Sequence, residues 1–572
     1  MDNKPSLSQY FGDKEVPPAS QFFDEIGTSP SDMTQSIYLG ETEGNQTTTA
    51  NLFPQNMTAS FTQPRMSEEL TFTDVLPTVS GSASVPATSL PDPSTFFDTI
   101  GPETTIVPVK SNVLANPAML TEAIDGLSIK NQPVDKEADR RRDAWIPNDE
   151  AKKTLMKAQS SPKGSFFPER EVLTMPGLVL EEELADALQE VAVKYLGVSS
   201  AGSRGVVRAE HVSRDEAGLR ELLRTGYLRA AINLTHVLIS AAGQGVGRMH
   251  RPTKHTPRSL QLWLTRFAVM LRIKLNEPLL KEAEPFGDFS KPDMFYEFYP
   301  DTYENRTGSL VPFSLRLLVS ELPAHVGKPD EAVDKLYAML DTIQTMLSNL
   351  REGKTEDGSG AIAEQDKAES IRLWMGRETR VMHSLVNCAI AMKDYRQAAS
   401  ILTTLQQQTT SAGLRRAILS AMCRLWLVAG HMRAASTCLE QAREARHHIC
   451  PTPDVREYID LGLIDVAQGK YQEAYNNFAR AADQEPTNIM VANNLSVCLL
   501  YMGRLKEAIA VLQKAINSDP ERGLNESLLI NLCTLYELES SKTNEKKLNL
   551  LRMLCKFKSD TIPNVLECLK LS

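Results

Sequence analysis

The chain has 572 residues, 42% of them hydrophobic but only 6% aromatic, and a formal net charge of −10. Residues 1–130 carry 16 acidic and 5 basic side chains, a net −11, so the remainder is near neutral at +1. A neutral body excludes a broad nucleic-acid footprint, which needs surplus Lys and Arg, and an Ala- and Leu-rich, aromatic-poor chain of this length points to an elongated stack of small helices.

Residues 1–135 are rich in Ser, Thr, Pro and acids and lack sustained periodicity. They bury too little surface to offset the entropy of ordering, so a disordered acidic tail is expected. Within it Phe22-Phe23-Asp24-Glu25-Ile26-Gly27 recurs as Phe96-Phe97-Asp98-Thr99-Ile100-Gly101, with a weaker version at Tyr10-Phe11-Gly12-Asp13. Paired aromatics beside an acid dock as short elements in hydrophobic grooves, and repetition raises a weak individual affinity. Phe22, Phe23, Asp24, Ile26, Phe96, Phe97, Asp98 and Ile100 are therefore candidate protein-binding residues. The competing reading is a scatter of residual apolar side chains. Ser29-Pro30 and Ser161-Pro162 are spelled like proline-directed phosphorylation sites. No basic stretch followed by an apolar one opens the chain, and no run of about 18 apolar residues occurs, so a soluble, intracellular protein without direct membrane insertion is expected.

Residues 136–164 form a transition, in which Arg140, Arg141 and Arg142 sit among acids and Trp145 and Pro147 precede a helix. The triplet reads as a solvated face, with a nuclear-import signal as the alternative. A helical half follows over 165–351. Leu180, Leu184, Leu188, Val191 and Tyr195 recur at helical spacing, with Gly197 as a stop. Ser213-Arg-Asp-Glu216 spells a capping box before Leu219, Leu222 and Leu223. Further helices are predicted from Tyr227 to Ala242 and over 259–274, 312–324 and 329–351. An aromatic-rich insert, 284–304, interrupts them; its seven rings suit a plug between two half-solenoids or a docking surface.

A Gly/Ser-containing linker, 352–364, is expected to divide the body. The second half, 365–572, carries repeats. Gly469, Tyr471, Ala474, Phe478, Ala481 and Pro486 are answered 34 residues later by Gly503, Leu505, Ala508, Leu512, Ala515 and Pro520. That register is the tetratricopeptide repeat, clearest over 455–488 and 489–522. The glycine allows the tight turn, the alanines let backbones approach, and the proline closes the unit. Weaker repeats precede them, at Tyr395, Ala398 and Leu402 and at Gly430, Ala435, Leu439 and Ala442. The fold class is thus an all-α tetratricopeptide-repeat solenoid behind a long disordered tail, with four or five helical pairs and a terminal apolar helix as cap.

Chemistry-bearing motifs are weak. Gly243-Gln-Gly245-Val-Gly247 follows a helix and lacks a GK[ST] ending, so it reads as a flexible connection. All eight cysteines lie beyond residue 387 without a CxxC pair and read as buried free thiols. Adjacent His447 and His448 point apart, and no zinc spacing occurs. Hence no catalytic residues, cofactor or metal are expected. The inner positions of the clear repeats, Ile459, Leu463, Val466, Asn493, Val497 and Leu500, suit packing against a protein partner or a neighbouring segment of the same chain. Only Asn493 suits the carboxylate clamp of a chaperone-adaptor that binds partner C-termini, the alternative function.

The stretches HTPRSLQLWLTRFAVMLRIKL (255–275) and EPFGDFSKPDMFYEFYPDTYENRTGSLVPFSLRLLVSEL (284–322), with DAWIP, GQGVG and NLCTLYELES, resemble the trafficking protein particle (TRAPP) complex subunit 12 family over about residues 140–572. The resemblance implies a non-catalytic scaffold of a TRAPP III-type vesicle tether in endoplasmic reticulum to Golgi transport. Rab nucleotide exchange in that family is attributed to small core subunits. Implied partners are other TRAPP subunits, chiefly the large peripheral ones, with coat or kinetochore proteins reached through the tail. The implied location is cytoplasm, ER-Golgi intermediate compartment and Golgi periphery, with nucleus or kinetochore in mitosis, since family members are also linked to kinetochore assembly.

Overall fold

The computed structural model describes residues 136–162, 165–198, 204–304, 306–447, 452–540, 543–560 and 565–571. The Phe-Phe-Asp copies, Ser29-Pro30, His448 and Cys450 lie outside the described residues. Within them the chain is all-α, and its three β-bridges are isolated pairs.

Helices α1 (Lys136–Asp143) and α2 (Asp149–Ser160) lead in, the latter capped by Asn148, whose side chain accepts from the Ala151 amide. Helix α3 spans only Ala187–Leu196, shorter than the Leu180–Tyr195 periodicity predicts. Upstream amides are taken by side chains from elsewhere: Glu282 accepts from Val179 at 3.0 Å and Asn233 from Leu184 at 2.9 Å. Asp186 then accepts from the Leu188 and Gln189 amides and starts the helix as its N-cap. Gly197, at φ +82°, ends it. In α4 (Glu216–Thr225) the cap is Asp215, not Ser213, whose hydroxyl instead donates 2.7 Å to the Asp215 carboxylate.

Helix α5 (Leu228–Ala241) and helix α6 (Pro257–Arg272) pack together, α6 opened by a Thr256–Ser259 capping box and Pro257. After α7 (Asn276–Ala283) the aromatic insert takes three short 3-10 turns rather than helix. Phe286, Phe289, Phe295 and Tyr296 are fully buried, while Phe298, Tyr299 and Tyr303 are half-buried. Phe286 meets Trp263 at 5.5 Å and Phe267 at 5.9 Å, both edge-on, a geometry that adds roughly 0.5–1.5 kcal/mol per pair beyond area burial. The insert thus lies within the first core, against α6, rather than in a gap between half-solenoids.

Helices α8 (Phe313–His325), α9 (Pro329–Arg351) and α10 (Glu364–Ala391) continue the stack. The segment expected as a linker is the turn joining α9 to α10, which pack on each other. It is closed by a Lys354–Ala361 bridge, and the Asp357 carboxylate accepts from Thr355 at 2.7 Å and from the Ser359 amide at 3.1 Å. At 28 residues α10 is about 42 Å long. It feeds both cores, with Val381, Leu385 and Cys388 in the first and Met382, Val386 and Ile390 in the second.

The remaining pairs are α11 (Tyr395–Gln408) behind α10, then α12 (Ala412–Val428) with α13 (Met432–His447), α14 (Val455–Ala467) with α15 (Tyr471–Gln484), and α16 (Ile489–Tyr501) with α17 (Leu505–Ser518). After a short α18 (Pro520–Gly523) come α19 (Glu526–Glu539), α20 (Asn544–Phe557) and α21 (Val565–Leu569). Gly430, Gly469 and Gly503 turn between paired helices at φ of 75°, 72° and 76°, and Lys393 does the same without being glycine, at φ 60°. Ala474, Phe478 and Ala481 form the single buried stripe of α15, and Gly462 admits Phe478 so closely that a Cβ there would lie 2.7 Å from the ring. Helices α20 and α21 pack on α3, so the C-terminal end folds back on the first half instead of capping a free solenoid end.

Candidate interaction surfaces

The inner positions Ile459, Leu463, Val466, Asn493, Val497 and Leu500 are all buried. First helices such as α14 and α16 are covered on nearly every side, and polar side chains join them across the interior. Ser420 Oγ donates 2.5 Å and Arg424 Nε 2.9 Å to the Asp460 carboxylate, tying α12 to α14. Asn531 Nδ2 donates 2.8 Å to Asn493 Oδ1, tying α19 to α16. Asn493 is fully buried, so its side chain is out of reach of a foreign carboxylate. Of the two readings of the inner positions, packing against the same chain is the one the fold realises.

A second cluster closes the molecule on itself. The Arg204 guanidinium pairs with Asp186 at 2.8 Å and donates 2.6 Å to the Lys558 carbonyl, with both side chains almost fully buried. Asp560 accepts 2.6 Å from the Leu228 amide and 3.0 Å from the Arg229 amide. Helix α5 has no side-chain cap of its own at Tyr227, so this distant carboxylate satisfies its first amides and its dipole. Burial pushes the Asp560 carboxyl up to about 6, against the lowering pull of those two bonds. Lys274 adds an ion pair to Glu526 at 3.2 Å. Sequence reasoning misses these contacts. The one signal is negative, a strong helix starting after Tyr227 where no capping residue stands.

The arginine triplet is paired rather than solvated. Arg140 meets buried Glu356 at 2.8 Å, Arg141 bridges Asp366 at 3.0 Å and Glu369 at 2.6 Å, and Arg142 meets Asp139 at 2.8 Å. Asp143 takes the Tyr296 hydroxyl at 3.0 Å and Arg306 at 2.5 Å. Trp145 then sits 6.3 Å from Trp374, with the Arg316 guanidinium 4.1 Å above its ring. The lead-in is therefore clamped onto the α9–α10 turn, the start of α10 and the aromatic insert.

The Gly243–Gly247 stretch is likewise anchored rather than a flexible connection. Gln244 is fully buried and accepts 2.7 Å from Trp263 Nε1, Val246 bridges to Leu178, and a Cβ on Gly245 would lie 2.7 Å from Ser240 Oγ. Burial pushes the thiols of Cys388, Cys498 and Cys533 up to about 12 and that of Cys438 to about 11, which keeps them protonated and weakly nucleophilic. Among the described residues no group of three or more His, Cys, Asp or Glu could hold a metal, and no helix is long and apolar enough to cross a membrane.

The surface of the described residues includes an open cavity of about 360 Å³ at the ends of α10 and α12, lined by Lys393, Tyr395, Arg396, Trp426 and His431 among others. Phe167 is 86% exposed, beside Phe166, which packs edge-on against Phe298 at 5.7 Å.

A tetratricopeptide repeat family model matches residues 465–525. Trafficking protein particle complex subunit 12 of Mus musculus is 34% identical over 438 residues, 76% of this chain and 54% of that protein. The Homo sapiens protein of that name is 34% identical over 442 residues, 76% of this chain and 59% of its own. The chain thus spans somewhat more than half the length of these relatives. A solved tetratricopeptide repeat protein from Parabacteroides merdae aligns with 52% of this chain and 99% of its own at 11% identity, with a TM-score of 0.30.

Proposed function

The chain belongs to the trafficking protein particle complex subunit 12 family, and from that membership we propose that it is a non-catalytic scaffold subunit of a TRAPP III-type vesicle tether. The observation that carries the proposal is the 34% identity over 76% of the chain. The geometry supports it: the repeats are spent on an internal interface, the thiols are buried and protonated, and the accessible outer helix faces suit protein contacts.

The finer reading is a role in endoplasmic reticulum to Golgi transport at the ER-Golgi intermediate compartment and Golgi periphery, contacting the large peripheral subunits, with a second role in kinetochore assembly in mitosis. The Phe-Phe-Asp copies serve as protein-binding elements of the tail. Affinity purification of the tagged full chain with quantitative mass spectrometry tests the proposal. Recovery of TRAPP subunits in constant ratio is the expected result, and their absence under conditions that preserve the complex overturns it. A mitotic sample enriched in kinetochore proteins supports the second role, and one identical to interphase removes it.

A further inference from the structure

The joint between α12, α13 and α14 carries more positive charge than its own carboxylates offset. Arg416, Ser420 and Arg424 recur every four residues on α12 and so lie along one face. Arg443 and Arg446 stand on α13, and Arg456, Glu457 and Asp460 on α14. Glu457 accepts 2.9 Å from Arg443 Nε and 2.7 Å from Arg446 Nε. Asp460 takes both Ser420 and Arg424. Asp454, the N-cap of α14, pairs with Arg416 while accepting 3.1 Å from the Glu457 amide. Five guanidinium groups therefore share three carboxylates, a surplus of two positive charges among the described residues.

Much of that surplus is held away from bulk water. Arg424 and Arg446 are buried, with 3% and 4% of their side chains exposed, and Arg416 keeps 14%, whereas Arg443 reaches the surface at 37%. Burial of the Arg456 guanidinium, with Arg416 and Arg424 close by, lowers its pKa to about 10. Like charges repel more strongly where the dielectric is reduced, so the arrangement favours an anion that supplies what the carboxylates do not.

Between these side chains runs a cleft lined by Arg416, Ser420, Arg443, Arg456, Glu457 and Asp460 among others. Its volume of about 10 Å³ has room for a single oxygen atom. A fitting anion brings two charges, inserts one oxygen and keeps the rest of its body outside. Chloride or a carboxylate brings one charge. A phosphate monoester brings close to two, with further oxygens for the guanidinium forks at the mouth.

The geometry points to a binding site for a phosphate monoester at this cleft, with one oxygen inside it and the others toward Arg443 and Arg456. The ester substituent then faces solvent, so the cleft reads the phosphate and not the body that carries it. This inference concerns the repeat body alone and stands whether or not the chain joins a tether.

Hydrogen-deuterium exchange on the full chain tests it, read at residues 439–446 and 455–460 under rising inorganic phosphate, with acetate and chloride at matched ionic strength as comparators. Phosphate at about ten times its apparent Kd should slow exchange in both segments about tenfold, and the comparators should not. Arg443→Gln, at a half-exposed position, and Arg456→Gln should each raise that Kd about tenfold or more, the loss expected of a charge-assisted hydrogen bond. Arg415→Gln should leave it unchanged, since Arg415 is exposed on α12 and donates to the Thr409 carbonyl. Glycerol 2-phosphate and a phosphoserine peptide with Gly and Ala flanks carry the same group on different bodies. Binding of the peptide no tighter than glycerol 2-phosphate assigns the site to small phosphates, and tighter binding of the peptide assigns it to a phosphorylated protein. Binding of neither overturns the proposal. So do equal protection by phosphate and acetate, no protection by phosphate at any concentration, and a phosphate response that both arginine variants retain.

Discussion

Asp560 caps a helix that begins with Leu228: its carboxylate accepts 2.6 Å from the Leu228 amide and 3.0 Å from the Arg229 amide, more than 330 residues earlier in the chain. The bond closes the solenoid, because it joins the segment after α20 to the first helices of the other core. Asp560→Ala strands two amides and should cost about 1–3 kcal/mol. Hydrogen exchange should quicken in α5, α20 and α21 together. A change confined to α21 would show that closure does not depend on this cap. Arg204→Lys should also weaken closure, since a lysine cannot reproduce a fork that reaches both Asp186 and the Lys558 carbonyl.

The arginine triplet should behave as a clamp. Arg141→Glu reverses the charge facing Asp366 and Glu369, and limited proteolysis between 136 and 162 should then proceed several-fold faster. The second core, far from the clamp, should keep its cleavage pattern. Equal rates in parent and variant would return the triplet to a solvated face.

Glu321 lies between α8 and α10, accepts a hydrogen bond from the Ser384 hydroxyl and stands near Arg380. Burial raises its carboxyl from 4.5 to about 7, with Ser384 and Arg380 pulling the other way. A carboxyl whose folded pKa exceeds its unfolded one adds stability that is complete below pH 4.5 and is lost as pH rises through 7. The denaturant midpoint should therefore fall between pH 5 and pH 7.5 in the parent, and Glu321→Gln should flatten that slope. A parent whose midpoint does not change over this range would remove the assignment.

Native alkylation should distinguish the thiols. Cys555 is half-buried, whereas Cys388, Cys423, Cys498 and Cys533 are buried, with pKa values raised by desolvation. Mass spectrometry after brief iodoacetamide treatment at pH 7.5 should find Cys555 modified first and the other four only after denaturant. Early loss of Cys498 or Cys533 would mean that the second core opens locally.

Local signals were legible and remote ones were not. The helix predicted over 329–351 is α9, because Pro329 opens it and its apolar side chains keep one period throughout. The 34-residue register marks helix pairs because glycine, alanine and a large apolar residue each answer a steric demand within one unit. The Leu180–Leu184 turns carry the same helical spacing yet are not helical, since Glu282 and Asn233 compete for their amides from far along the chain. The tight turn at Lys393 was hidden because lysine stands where the register expects glycine. The inner faces look like a groove in sequence because an apolar face reads alike whether its partner is foreign or its own. Their burial and the Asn493–Asn531, Ser420–Asp460 and Arg424–Asp460 contacts separate the two.

Closure through α20, α21 and Asp560 also sets an order of events during synthesis. Of the described residues, 136–351 emerge before the repeats and have the local contacts to fold as translation proceeds. The α3 face that receives α20 and α21, and the amides of Leu228 and Arg229, wait unpaired until the chain has been made past Leu569. A ribosome that stops between residues 523 and 544 therefore releases a body with most of its repeats and an open apolar seam, a substrate for chaperones and degradation rather than a slightly shortened protein.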